Sequence, residues 1–165
     1  MPRVRRGRRE DLEDIVRLEL ECFTSPYPPA FISYMLKSST HTLLVCEVSG
    51  VTVGYAAGRI EGSRGHLLSI CVSKRHRRRG LGRMLLKAME EELKKKGAEE
   101  VYLEVREDNH AALSLYASAG YRQAGRIPWY YEDGCPAIVM RKSLKRMQAE
   151  PPQPPQADRL PPHLA

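Results

Sequence analysis

Between residues 66 and 96 the chain passes from an apolar run, through a glycine loop thick with arginine, into an amphipathic helix. His66-Leu67-Leu68-Ser69-Ile70-Cys71-Val72 is short, apolar and rich in β-formers, and reads as a buried strand. From Leu81 to Lys96 apolar residues fall at 81, 84, 85, 88, 89 and 93, the spacing of one helix face. Between them lies Arg75-His76-Arg77-Arg78-Arg79-Gly80-Leu81-Gly82. A loop entering a helix presents free backbone N–H groups at the positive end of the helix dipole. The two glycines let backbone approach a ligand closely, and the arginines add charge and forked donors. The pattern points to a phosphate site, against the plainer reading of a solvated basic turn. The Gly-x-x-x-x-Gly-Lys loop of nucleotide-triphosphate binders does not occur here. The third glycine of a dinucleotide fingerprint is replaced by Leu85.

A chain of 165 residues suits one compact domain, and a hydrophobic content of 42% is ordinary for a folded one. No apolar run reaches membrane-spanning length, and Met1-Pro2-Arg3-Val4-Arg5 lacks an apolar signal core, so a cytoplasmic protein without membrane contact is expected. The net charge of +7 suits a polyanionic partner, a nucleotide cofactor or nucleic acid. Cys22, Cys46, Cys71 and Cys135 form no Cys-x-x-Cys pair and are expected as buried thiols rather than a disulfide frame. The histidines lack ligand spacing, so no metal is expected. Asn109 is the only asparagine, while Arg, Lys and Glu abound, a composition that points to a hot-growing source.

The remaining text alternates strand and helix. Arg3 to Arg6 reads as a first strand. A helix follows Glu10 and Asp11, with Leu12, Ile15, Val16 and Leu18 to Leu20 as its apolar side. Ser25-Pro26-Tyr27-Pro28-Pro29 breaks it, and a second helix covers about Ala30 to Lys37. Thr42 to Val48 and Val51 to Ile60 are strands joined through Ser49-Gly50. Val101 to Val105 is a strand, and Asn109 to Ala119 a helix stopped by Gly120. Tyr121 to Ile127 and Ala137 to Met140 form a last strand pair. After Lys145 proline dominates, so residues 1–145 are expected as the domain and 146–165 as a flexible tail.

Two linked blocks carry a resemblance. Arg77-x-x-Gly80-x-Gly82 is similar to the acyl-CoA pyrophosphate signature of the GNAT N-acetyltransferases. Leu103-Glu104-Val105-Arg106 with Asn109-x-x-Ala112-x-x-Leu115-Tyr116 follows at matching distance. Gly65 to Arg78 and Tyr130-Tyr131-x-Asp133-Gly134 resemble the protein N-terminal acetyltransferases of that family, of archaeal type, the branch of the NatA catalytic subunit and RimI. The resemblance runs over about residues 3 to 143. It implies an α/β fold with a mostly antiparallel mixed sheet, a splayed parallel strand pair and flanking helices. Two departures fall near the acceptor. Thr24-Ser25-Pro26-Tyr27-Pro28 stands where that branch carries Leu-Pro-Glu-Asn-Tyr, and Gly134-Cys135-Pro136-Ala137 where it reads Gly-Glu-Asp-Ala.

The resemblance further implies acetyl-CoA as cosubstrate, held in the gap between the splayed strands. Ile70, Cys71 and Val72 would meet the pantetheine arm. Arg77, Arg78, Arg79, Gly80, Leu81, Gly82 and Arg83 would surround the pyrophosphate. Asn109 would bond the arm, or cap its helix. Tyr116 lies two helical turns beyond Asn109 and would protonate the leaving thiolate, or pack the core. Glu104 faces opposite to Leu103 and Val105 and is the candidate base, or an exposed strand glutamate. Tyr27, His66, Tyr130 and Tyr131 would line the acceptor groove, and His66 and His110 are lesser candidate bases. With no cysteine in a nucleophile's place, the amine attacks directly. The implied partners are N-termini of proteins or peptides, nascent or ribosomal. Two other readings stay open: acetylation of lysine or a small amine, and a basic nucleic-acid module. Against the latter, aromatics are not interleaved with Arg3 to Arg9 or Lys74 to Arg79.

Overall fold

A computed structural model describes residues 1–145; the proline-rich segment 146–165 lies outside the described residues. Strands β1 (Pro2–Arg6), β2 (His41–Val48), β3 (Val51–Glu61), β4 (Arg64–Val72), β5 (Glu100–Arg106), β6 (Arg122–Ile127) and β7 (Ala137–Ser143) form one sheet, ordered β1-β2-β3-β4-β5-β7-β6. Every pairing is antiparallel except β4 with β5. Helices α1 (Leu12–Cys22) and α2 (Pro29–Lys37) share one core with Leu43, Val45, Tyr55 and Cys71. Helices α3 (Leu81–Lys95) and α4 (His110–Ser118) contribute to another, with Leu44, Ala56, Leu67, Leu103 and Val105. Strand β2 is covered on both faces, which is why its six residues from 41 to 46 are all buried. The expected order of elements is thus observed, and Ser49 and Gly50 both take the positive φ of a two-residue hairpin turn.

The depth at which α3 sits follows from three glycines. Leu85, Met89 and Leu93 form an i, i+4, i+8 ridge. A Cβ at Gly54 would stand 3.2 Å from Leu85 Cδ1, one at Gly58 2.7 Å from Met89 Sδ, and one at Gly65 2.8 Å from Leu93 Cδ1. The ridge therefore drops into a groove of bare backbone on β3 and β4, and this close seat places the helix N-terminus beside the end of β4.

Strand β4 is bulged. Ala57 faces Ser69 but Gly58 faces Leu67, so Leu68 has no partner of its own. The extra residue breaks the two-residue alternation. Leu68 packs on the α1/α2 side, and Ser69 meets Glu19 and Tyr55 there as well.

Two expectations are corrected. Leu20 does not join the apolar side of α1: it is 66% exposed, whereas Glu19 is 2% exposed. Glu19 lies one turn beyond Ile15 on the inward stripe and is kept there by three hydrogen-bond donors described below. Nor are all four cysteines thiols. Cys22 and Cys71 form a disulfide with Cα atoms 6.1 Å apart, leaving Cys46 and Cys135 free. The fold brings the end of α1 against β4, a contact across 49 residues that sequence spacing does not encode.

Closing a loop of that length restricts the unfolded chain by about 4 kcal/mol in the loop-entropy picture. Cys22→Ser should therefore lower the unfolding free energy by about 2–4 kcal/mol, read from urea denaturation without reductant. Dithiothreitol should bring the parent protein down to the variant. Equal midpoints for the parent with and without reductant would show that these sulfurs are not bonded.

Candidate active site

Strands β4 and β5 pair only at Arg64 with Glu100, Gly65 with Val101 and His66 with Tyr102. Beyond that point β4 stays bonded to β3 and β5 to β7, but not to each other. Two strand edges, Leu67 to Val72 and Leu103 to Arg106, thus face a widening gap. Unpaired backbone N–H and C=O groups need polar partners, and an extended ligand carrying amides can supply them. Ile70, Cys71 and Val72 stand on this edge as the sequence implies. Only the backbone of Cys71 is available, because its sulfur is bonded to Cys22 on the α1 side.

The apex of the gap holds a hydrogen-bonded pair. His66 Nε2 lies 2.6 Å from Glu104 Oε2, with both side chains mostly buried. Glu104 turns away from buried Leu103 and Val105, as strand alternation requires. A shell fixes the imidazole. Its ring stacks on Tyr102 at 4.2 Å, Arg59 Nη2 stands 3.4 Å from Nδ1, and Glu61 Oε2 lies 3.5 Å from Nδ1. Tyr102 donates to Glu61 at 2.7 Å, and Arg59 is paired to the same carboxylate. The Arg59 N–H facing Nδ1 favours the tautomer that carries its proton on Nε2 and donates it to Glu104.

Three tyrosines lie within electrostatic reach of this pair. Tyr27, Tyr130 and Tyr131 all feel the Glu104 carboxylate, which with burial raises their phenol pKa values. Burial is the larger cause, and it pushes Tyr27 and Tyr131 up to about 12. Tyr27 donates to the carbonyl of bulged Leu68 at 3.3 Å, which ties the α1–α2 loop to β4. The rings of Tyr130 and Tyr131 meet edge to face at 4.9 Å. The four residues expected at the acceptor groove are therefore gathered around Glu104. His110 is exposed at the start of α4.

On the other strand, Asn109 caps α4 by accepting from the Ala112 N–H at 3.1 Å. Its amide NH2 points to no partner among the described residues. Tyr116 follows on α4 and is 6% exposed. Its ring packs in the α3/α4 core against Tyr121, so the packing role is real. Its hydroxyl makes no hydrogen bond among the described residues. Burial first, then the neighbouring Tyr131 phenol, holds its pKa above the ordinary tyrosine value and keeps it protonated.

At the mouth of the gap, Gly80 precedes α3 in the left-handed region at φ 78°. Arg78 also has positive φ, at 64°. The first-turn amides of α3 have no side-chain cap, which leaves them for an anion. Arg78 and Arg79 are exposed beside them. The other members of the motif serve differently. Arg77 folds back to the Val72 carbonyl at 2.9 Å, Leu81 is a core side chain, and Arg83 reaches Ser118 at 2.5 Å and ties α3 to α4. An extended polar molecule ending in phosphates fits this arrangement, as acetyl-CoA requires.

Sequence reasoning missed a second buried group. The Glu19 carboxylate accepts from Tyr55, from Ser69 at 3.2 Å and from the Tyr27 backbone N–H. Desolvation outweighs these bonds and raises its pKa. It holds Tyr27 and β4 in one cluster. The signal was its place four residues after Ile15 on the inward face of α1.

This arrangement has known counterparts. Residues 12–121 match the Acetyltransferase (GNAT) family. An N-alpha-acetyltransferase of Sulfurisphaera tokodaii is 35% identical over 155 residues, covering 86% of this chain and 93% of that protein. The N-alpha-acetyltransferase RimI of Mycobacterium tuberculosis is 36% identical over 141 residues, covering 81% and 87%. The crystal structure of the ribosomal-protein-S18-alanine N-acetyltransferase from Escherichia coli superposes with a TM-score of 0.81 at 26% identity, covering 92% of this chain and 99% of that one. With the splayed strands, the glycine loop and this similarity along most of its length, the chain belongs to the GNAT acetyltransferase family.

Proposed function

We infer that this protein transfers the acetyl group of acetyl-CoA to the α-amine at the N-terminus of a protein, by direct attack within a ternary complex. The observation that carries the reading is the His66–Glu104 pair at the apex of the gap, with Tyr27, Tyr130 and Tyr131 within electrostatic reach of its carboxylate. Relatives named as N-alpha-acetyltransferases support it. A relative named as a putative alanine N-acetyltransferase of ribosomal protein bS18 supports ribosomal proteins as one acceptor class. Direct attack is supported by Cys71, whose sulfur is tied up in the disulfide beside the gap. We place the reaction in the cytoplasm of a hot-growing source, where the disulfide is no obstacle, since intracellular proteins of hyperthermophiles are rich in them.

Acetyl-CoA supplies an activated thioester. The chain's own residues manage the protons. With Nε2–H of His66 donating to Glu104 Oε2, the second carboxylate oxygen is left to take a proton from the incoming ammonium, directly or through one water. The demand is modest for an α-amine, whose pKa of about 7.7–8.0 lies well below the 10.4 of lysine. The protonated Tyr116 hydroxyl, free of partners among the described residues, is the donor available to a leaving thiolate. Tyrosine hydroxyls around the acceptor read main chain rather than side chain, so selectivity among first residues is broad.

The reading is tested with short peptides that carry both a free N-terminus and an internal lysine. Tandem mass spectrometry should place the acetyl group on the α-amine, for peptides starting with Ser, Ala and some with Met. Acetyl found mainly on lysine, or undiminished after the α-amine is blocked, overturns it.

Glu104→Gln should lower kcat by about 10²-fold with little change in acetyl-CoA affinity. The deficit should shrink as pH rises above about 8, where the α-amine is already neutral. A deficit constant from pH 6 to 10 would remove Glu104 from the base role. Tyr116→Phe keeps the packed ring and removes the donor. Its turnover should also fall by about 10²-fold, with the unfolding midpoint nearly unchanged. Unchanged turnover with chemistry rate-limiting would leave Tyr116 as a packing residue alone.

A further inference from the structure

Trp129 is the only tryptophan in the chain, and 82% of it is exposed. It is not a residue left over in a loose loop. Its backbone is in the left-handed region at φ 58°, which bulky side chains seldom adopt. Gly134, at φ 86°, lies under the indole: a Cβ there would stand 3.1 Å from Trp129 Cε3 and Cζ3. The turn beneath is closed by Gly134 N–H to the Tyr131 carbonyl at 2.8 Å and Tyr131 N–H to the Cys135 carbonyl at 3.2 Å. Arg106 clamps it from β5, pairing with Asp133 at 2.6 Å and lying over the Tyr131 ring at 5.0 Å. Rigid backbone, strained φ and a missing Cβ all serve to present one large apolar surface to water.

The position of that surface says what meets it. The next residue, Tyr130, lies within the field of Glu104. The loop carrying both residues also approaches the α1–α2 loop, where Ser25 Oγ stands 3.4 Å from Glu132 Oε2. Trp129 is therefore on the outer rim of the acceptor groove, next to half-exposed Tyr130 and Ile127. Along this rim Arg126 pairs with Glu107 at 2.5 Å and Arg106 is shared by Asp108 and Asp133, while Glu132 has no cationic partner among the described residues. The rim therefore offers an arriving chain the exposed indole, set among an excess of acidic groups.

We propose that Trp129 is a specificity-determining residue, selecting acceptors that carry an apolar side chain within the few residues following the acetylated one. This rests on the N-terminal reading above. The acceptor chain enters amine first, and its next residues leave the groove across the rim, where an apolar side chain covers the exposed indole and loses water with it.

The single tryptophan makes the test direct, because its fluorescence reports this residue alone. Peptides free of tryptophan, starting with Ser and carrying one Leu, Asp or Lys at the second, third or fourth position, are titrated into the full-length protein with CoA present. For at least one position the Leu peptide should shift the emission to shorter wavelength, and its KM should be about tenfold below that of the Asp peptide. Trp129→Gly suits the positive φ and removes the indole; it should raise the Leu KM toward the Asp value, with the loss in KM rather than kcat. Trp129→Tyr should recover part of the preference. No emission change at saturating Leu peptide, a preference for Lys or Asp, or the same Leu-to-Asp ratio in Trp129→Gly overturns the proposal. Tandem mass spectrometry of the products separates the two readings: acetyl on the α-amine with no Leu preference defeats the role of Trp129 alone, whereas acetyl on lysine defeats the N-terminal assignment.

Discussion

Parallel strands β4 and β5 stop pairing after His66 and Tyr102, and the rest of the site depends on that parting. An open sheet edge inside a protein is unstable unless something polar fills it. Here the two half-sheets are each complete on their outer sides, β4 against β3 and β5 against β7, so the opening is held from both flanks. The Leu68 bulge lies just past the last shared pair, and bulges bend and twist the strand that carries them. Tyr27 bonded to the Leu68 carbonyl, the disulfide at Cys71 and Arg77 folded onto the Val72 carbonyl fasten β4 along the opened stretch. The gap is a built feature, braced at successive residues.

The two faces of the sheet divide the labour. On one side, the Leu85–Met89–Leu93 ridge sinks into glycine backbone and sets where the free amides of α3 emerge. On the other, α1 carries a buried carboxylate, Glu19, into the base of the acceptor loop. A buried carboxyl group is costly without partners, and Tyr55, Ser69 and the Tyr27 amide supply them from three different elements. Removing any one of the three leaves the others facing a poorly satisfied acid, so the cluster favours a single arrangement of loop and strand.

The candidate catalytic groups sit where these halves meet. Glu104 comes from the far strand and His66 from the near one, so their bond spans the apex of the opening. Arg59, Glu61 and Tyr102 fix the imidazole. Tyr116 arrives from α4, one face of its ring in the core and its hydroxyl unpartnered among the described residues. The proposed base and acid thus come from separate elements, as one proton leaving the amine and another reaching the thiolate would require.

Local pattern was enough to read much of this. Helix periodicity gave α3 at Leu81, the Gly80–Leu81–Gly82 loop marked the candidate anion site, and alternation along Leu103-Glu104-Val105 turned Glu104 away from the core. Those are short-range properties, fixed by the turn of a helix and the pleat of a strand. Elsewhere the same rules failed for a physical reason. The bulge at Leu68 put two successive residues on one face, and only pairing with β3 decides where a strand takes in an extra residue. Cys22 and Cys71 looked like separate thiols because they stand 49 positions apart, and the packing of α1 on β4 closed that distance. Glu19 passed unnoticed in the sequence, because its burial depends on donors from β3, β4 and the α1–α2 loop. The sequence by itself determined the elements and offered the candidate residues for holding phosphate or moving a proton. Tertiary structure decided which of them meet, because the bond between His66 and Glu104, the bracing of the gap and the posture of Trp129 all join segments that are local neighbours only after the chain has folded.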